Sequence, residues 1–204
     1  MTRLEQQFAF LLEIDNEKAV TRQNYIPSAN RRETDSDHAW HLAMMTLLLG
    51  EYAAQPIDML RTLTMVLLHD LVEIDAGDTF AYDEQAVRGQ HDREAAAANR
   101  IFGLLPPDQR DALRGIWEEF EARRTPEAQF ARAIDRLQPI MLNYATDGRA
   151  WREHGVRLEQ ILRRNAETGK AAPSLWDYAQ THFIEPGLQK GFIRDDGHKP
   201  GHND

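Results

Sequence analysis

Apolar residues in this 204-residue chain recur three or four positions apart along almost its whole length, and strict apolar-polar alternation never lasts more than a few residues. An amphipathic helix needs the first pattern and a half-buried strand the second, so the spacing predicts an all-α fold. Leu4, Phe8, Leu11 and Leu12 mark the apolar face of a first helix ending near Asp15-Asn16. Residues 18–33, with Pro27, Ser28 and Asn30, read as a loop or extended connection. "TDSD" then offers Asp and Ser N-caps for a second helix, about 38–54, with His38, His41, Leu42, Met45, Leu49 and Tyr52 on one broad face. A third helix starts near Asp58, carries Leu60, Leu63, Val66, Leu67 and Val72, and ends around Ile74 before the Gly77 turn.

Residues 79–90 form a polar connection, and further helices are predicted at about 92–102, around Ala112 to Phe120, after the Thr125-Pro126 cap, at 151–168 and at 174–184. Trp117, Phe120, Phe130 and Leu137 are core candidates. Pro139 has no N–H to give the Asp135 carbonyl, which predicts a kink in its helix. One domain is expected over residues 1–185, followed by a mobile tail, 186–204.

Composition narrows the chemistry. With no cysteine, the chain has no disulfide, thiolate nucleophile or Cys-bound zinc, so any metal must use His, carboxylate or water. A formal net charge of −9 argues against a nucleic acid polymer or an anionic membrane as partner. An anionic substrate then needs a local cationic site, and Arg22, Arg31 and Arg32 cluster in the early connection. The N-terminal "MTRLEQQFAFLLEID" carries Glu5, Glu13 and Asp15 around a short apolar stretch, unlike a secretory signal, and a cytoplasmic location is expected.

"LLHDLVEIDAGD", Leu67 to Asp78, is the segment that most needs explaining. His69, Asp70 and Glu73 project from one side of the last turns of an apolar helix, where ionisable groups cost free energy unless they are paired or bind an ion. A His and an adjacent Asp can both reach a divalent ion, and a Glu one turn on can reach water beside it. His38 and Asp135 occupy comparable contexts and would complete a two-His, two-carboxylate site. Taken singly, each of these residues has a structural explanation as a cap or a satisfied core group. The second His-Asp pair, His91-Asp92, follows no apolar helix and reads as a solvated helix start. His41 reads as a packed or supporting histidine, and His198 and His202 belong to the tail.

"SDHAW", "LLHDLVEIDAGD" and "AIDRLQP", in that order over roughly residues 1–165, resemble the HD-domain metal-dependent phosphohydrolases, in particular the branch with bacterial 5′-deoxynucleotidases. The resemblance implies a single-domain HD helical bundle with His38, His69, Asp70 and Asp135 as metal ligands. It implies Glu73 as the water-activating residue and Asp78 as the acid closing the second motif. It points to Arg22 for the phosphate, to Tyr25 where that branch tends to have tryptophan, and to Arg31 or Arg32 as further phosphate contacts. Two-metal members add histidines between the His-Asp pair and the last Asp, whereas here His91 is the only one, so one divalent transition metal (Mn, Co, Ni, Fe or Zn) is expected.

The implied activity is hydrolysis of a small phosphomonoester, a nucleoside or deoxynucleoside 5′-monophosphate, by water whose pKa the metal lowers. A homodimer is implied with it. The alternatives are an HD phosphodiesterase or pyrophosphohydrolase acting on another nucleotide, an HD-fold oxygenase with two irons, and a non-catalytic metal- and nucleotide-binding regulatory module.

Overall fold

The computed structural model describes residues 1–79, 82 and 89–195. Helix α1, Arg3–Ile14, opens with a capping box in which the Thr2 and Glu5 side chains each accept the other's backbone N–H. A two-stranded antiparallel hairpin follows, β1 Thr21–Tyr25 and β2 Arg32–Thr34, with a register shift between its end pairs. Next come α2 Asp35–Leu49, α3 Met59–Leu68, α4 Glu73–Ala76, α5 Gln90–Phe102, α6 Pro107–Ala122 and α7 Pro126–Ala145. The remainder is α8 Arg149–His154, α9 Leu158–Arg164, α10 Thr168–Ala171, α11 Pro173–Ala179, a π-helical stretch Gln180–Ile184, and α12 Glu185–Gln189.

Helix α7 is the axis of the bundle. Ala128, Ala131 and Ala133 let α2, α3, α6, α10 and α11 approach it closely, and Phe130, Ile134 and Leu137 fill the space between. Leu42 and Met45 of α2 and Met65 and Val66 of α3 complete that core. A second cluster joins Phe10, Leu71, Val72, Ile101, Phe102 and Trp117. A third, with Trp151, Ile161, Ile184 and Ile193, packs on Ile140 of α7. The chain is an all-α bundle apart from its small hairpin, and Trp117, Phe120, Phe130 and Leu137 are all buried as expected.

Several local expectations need correction. Residues 18–33 are not a plain loop: they hold β1 and the start of β2, which the polar sequence Arg22-Gln23-Asn24 does not advertise. Helix α2 begins at Asp35, because Thr34 is its N-cap in a capping box with Asp37. The third helix stops at Leu68, with His69 as its cap, and resumes as α4 at Glu73, so the His-Asp pair lies at a break in the helix. The run 151–168 is divided at Gly155, whose φ of 59° suits glycine. The kink expected at Pro139 needs no correction: α7 keeps one range through that residue, and the Asn143 side-chain amide donates to the Pro139 carbonyl at 2.9 Å.

The face assigned to α1 is also reversed. Leu4, Phe8, Leu11 and Leu12 are 55–74% exposed, and Phe10 is the residue that enters the core. Periodicity locates an apolar stripe without saying what covers it. At the other end, Ile193 is buried against Trp151 and Gly187, and Arg194 bridges to Arg157, so the chain is docked as far as Asp195. The rest of the expected tail, with His198 and His202, lies outside the described residues, as do Phe80, Ala81 and 83–88 of the polar connection.

Candidate metal centre and substrate cavity

Three segments bring the polar residues of the core together. The Thr34 cap fixes the first turns of α2 and so places His38, with no exposed surface, toward α7. The break after α3 turns His69 and Asp70 inward, and α7 supplies Asp135. His38 Nε2 lies 3.2 Å from Asp135 Oδ1 and 3.9 Å from Asp70 Oδ2. His69 Nε2 lies 3.1 Å from Asp70 Oδ2 and 3.7 Å from Asp135 Oδ1.

The tautomer of His69 follows from its neighbour. Its Nδ1 is 3.0 Å from the Val66 carbonyl, which can only accept, so Nδ1 carries the hydrogen and Nε2 faces the carboxylates. That Nε2 is buried without a hydrogen-bond partner. Donor atoms spaced in this way suit a shared transition-metal ion about 2.0–2.2 Å from each. His38, His69 and Asp135 therefore fit a divalent ion, and Asp70, whose Oδ2 lies 3.9 Å and 3.1 Å from the two Nε2 atoms, is placed to add a second carboxylate.

Charge within the cluster is strongly perturbed. Burial, reinforced by Arg22, pushes the His38 imidazole down to about 4. Burial also works against protonated His69, yet the charges of Asp70 and Asp135 outweigh it and hold that ring at about 10. Two acidic side chains border the donors. Burial and the nearby Asp70 hold the Glu73 carboxyl well above the usual carboxylate range, and the same two causes raise Asp78.

Arg22 of β1 is embedded in this group. One Nη1 reaches Asp70 Oδ2 at 2.7 Å and Asp35 Oδ1 at 3.0 Å, and Nε lies 3.8 Å from Glu33. Asp35, Asp70 and Glu73 form a second carboxylate group able to hold a cation, and the Arg22 guanidinium already supplies its positive charge. Behind His38, Gln138 donates to Glu33 Oε1 at 2.5 Å and contacts His41 Nδ1 at 3.2 Å. His41 is thereby tied to the carboxylate that lies 3.7 Å from His38 Nδ1.

These groups form one wall of a cavity of about 770 Å³, lined by Arg22, His69, Asp70, Glu73, Asp78 and Asp135. Three residues assigned to substrate are not on it. The Tyr25 hydroxyl meets Glu153, and its ring carries the Arg149 guanidinium at 3.6 Å. Arg31 pairs with Asp37 on the surface, and Arg32 turns to Gln23 and Glu153. Arg22, Gln23 and Asn24 of β1 line the cavity, and Tyr25, at the end of the strand beyond its register shift, does not.

The same cavity is also lined by residues that sequence reasoning missed: Arg123, Arg132, Arg136 and Arg164. Burial and repulsion by Arg132 and Arg164 push the Arg136 guanidinium down to about 10, and burial with Arg132 lowers Arg123. The available sequence signal was the i, i+4 pair Arg132 and Arg136 on either side of Asp135.

Comparison with known proteins matches this architecture. A family model described as HD domain aligns with residues 14–176. The chain belongs to the HD domain family. The 5′-deoxynucleotidase HDDC2 of Homo sapiens is 30% identical over 133 residues, 65% of this chain and 64% of that protein. Its counterpart in Danio rerio is 28% identical over 139 residues, 68% of each chain. The match to the human relative thus spans slightly less than two thirds of its length. A solved HD-fold structure from Magnetospirillum magnetotacticum, described as a predicted metal-dependent phosphohydrolase, is 41% identical with a TM-score of 0.89, over 94% of this chain and 95% of that one.

Proposed function

We propose that this HD domain hydrolyses a small phosphomonoester, a nucleoside or deoxynucleoside 5′-monophosphate, to the alcohol and inorganic phosphate. The observation that carries this reading is the convergence of His38, His69 and Asp135, with Asp70 against both histidines, at a cavity that His69, Asp70, Asp135 and buried Glu73 line. The relatives named 5′-deoxynucleotidase and the neighbour named phosphohydrolase support the substrate class. His38, His69, Asp70 and Asp135 would hold one divalent ion of the Mn, Co, Ni, Fe or Zn type. Such an ion, when bound, supplies Lewis-acid polarisation of a phosphoryl group and makes water a better nucleophile near neutral pH.

The chain's own residues do the rest. Glu73 takes a proton from the attacking water as its oxygen bonds to phosphorus. The ester P–O bond breaks, and its electron pair leaves with the alkoxide. Asp78, raised by burial, delivers a proton to that alkoxide. Arg22 fixes Asp70 and borders the reacting phosphate, while Arg132, 3.6 Å from Asp135 Oδ2, approaches the same group from α7.

Phosphate release from ribo- and deoxynucleoside 5′-monophosphates tests the reading, with 3′-monophosphates and cyclic nucleotides as contrasts. Metal-stripped protein is expected to release none, and resupply of a transition ion is expected to restore turnover of the 5′-monophosphates alone. A chain that binds one ion yet turns over no monophosphate with any metal would sink it.

The homodimer implied by the family resemblance has a surface available. Trp40, Met44, Leu47 and Leu48 form an exposed stripe on α2, with Trp40 at 66% and Leu48 at 67%. We expect Trp40→Asp with Leu48→Asp to convert a dimer into a folded monomer by sedimentation analysis. A wild-type chain that sediments as a monomer at high concentration refutes the dimer. The compartment expected for this activity is the cytoplasm, and among the described residues no helix is long and apolar enough to cross a membrane.

A further inference from the structure

The cavity has a second pole, formed by arginines from three elements. Arg132 and Arg136 lie one helical turn apart on α7, Arg123 follows α6, and Arg164 ends α9. Two of the four are partly neutralised: Arg132 lies 3.7 Å and Arg123 4.0 Å from Glu121. Among the described residues, Arg136 and Arg164 make no hydrogen bond or ion pair, and Arg136 Nε is buried with no acceptor. Arg164 lines the cavity together with Asp78 and Arg136 and acts electrostatically on both.

Half-buried cations held together with no direct acceptor among the described residues cost folding free energy, and a site-filling anion removes that cost. The reacting phosphate already has Arg22 and Arg132 beside the ligand carboxylates. Arg136 and Arg164 contact no ligand and remain unsatisfied by it. The cavity, at about 770 Å³, is in the size range of small-molecule sites and larger than one phosphate group needs.

We propose that Arg136 and Arg164 form a second anion subsite that receives a second phosphate of the substrate, so that the preferred substrate class is a nucleoside bisphosphate. This rests on the hydrolase reading of the same cavity. Planar guanidinium forks bind phosphate oxygens in pairs, which a point charge does not. Acidic Glu94 and Glu118 also line the cavity and keep it from being a general anion trap.

The test is calorimetric titration of the full chain, metal-loaded and carrying Glu73→Gln to stop turnover, with deoxyadenosine 5′-monophosphate and deoxyadenosine 3′,5′-bisphosphate. The bisphosphate is expected to bind about tenfold more tightly or better, which is about 1.4 kcal/mol or more. Arg136→Gln and Arg164→Gln are each expected to reduce that advantage to about twofold, and the lysine variants to restore part of it. Arg136→Gln should also melt no lower than its parent without ligand, because it removes a repelled cation; a purely structural arginine would lower the melting point. Equal affinity for the two probes, or an advantage that survives both glutamine variants, overturns the proposal. A bisphosphate advantage in a chain that hydrolyses no ester would leave the subsite standing and overturn the hydrolase reading. Turnover of 5′-monophosphates with no such advantage would do the reverse.

Discussion

Replacing Glu73 by Gln is expected to lower kcat for phosphate release by on the order of 10³-fold, while bound metal stays at the wild-type stoichiometry and KM changes little. Glu73 opens α4, buried beside Asp70 but outside the set formed by His38, His69 and Asp135. Gln keeps the size of the side chain and a hydrogen-bonding oxygen, and loses only the capacity to accept a proton. Asp135→Ala is the companion variant, expected to lose both metal and turnover, because Asp135 meets both histidines. The measurements are metal content by emission spectroscopy and phosphate release at saturating substrate. If Glu73→Gln turns over at the wild-type rate, the proton acceptor lies elsewhere. If it loses metal, Glu73 is a ligand and the acid group Asp35, Asp70 and Glu73 holds an ion of its own.

Much of the site was readable in the chain, and what was not had a physical cause. His69, Asp70 and Glu73 stand out because charge at the end of an apolar run is costly wherever the run folds. The three-residue and four-residue spacing gave most helices, since local periodicity sets them. Asp35 was invisible as a site residue because it looked like part of a cap. Its role depends on Thr34 starting α2 early and on Arg22, 13 residues away, arriving from a hairpin. The arginine wall was invisible for a similar reason. Arg123, Arg132, Arg136 and Arg164 each resemble a solvated helix charge, and only the packing of α6, α7 and α9 around one cavity makes them neighbours. Tyr25 lies off the cavity because Glu153 and Arg149, more than 120 residues on in the chain, take its hydroxyl and ring, and motif order carries no such contact.

Arg22→Met is expected to destabilise the fold by about 3–5 kcal/mol, the range for removing one partner of a buried ion pair. The Arg22 side chain is 11% exposed, and that of Asp35 has no exposed surface. Without the guanidinium, Asp35 and Asp70 lose the cation that both contact, and Asp35, with no exposed side-chain surface, has no water to replace it. For a chain of this length, each 1 kcal/mol lowers Tm by roughly 2–4 °C, so a drop on the order of 10 °C is expected. A bound divalent ion neutralises Asp70 but leaves Asp35 unpaired, so metal should restore only part of the loss. Arg22→Lys should fall between the two, since one ammonium can replace the single Nη1 that meets Asp35 and Asp70 but leaves Glu33 without the Nε that lies 3.8 Å from it. Thermal melts with and without metal give the stability, and KM for a 5′-monophosphate gives the substrate contact. A Met variant that melts like the wild type and differs only in KM would make Arg22 a phosphate ligand alone. A lowered Tm together with a raised KM would place both tasks on one side chain, holding the carboxylates apart while lending the cavity its positive charge.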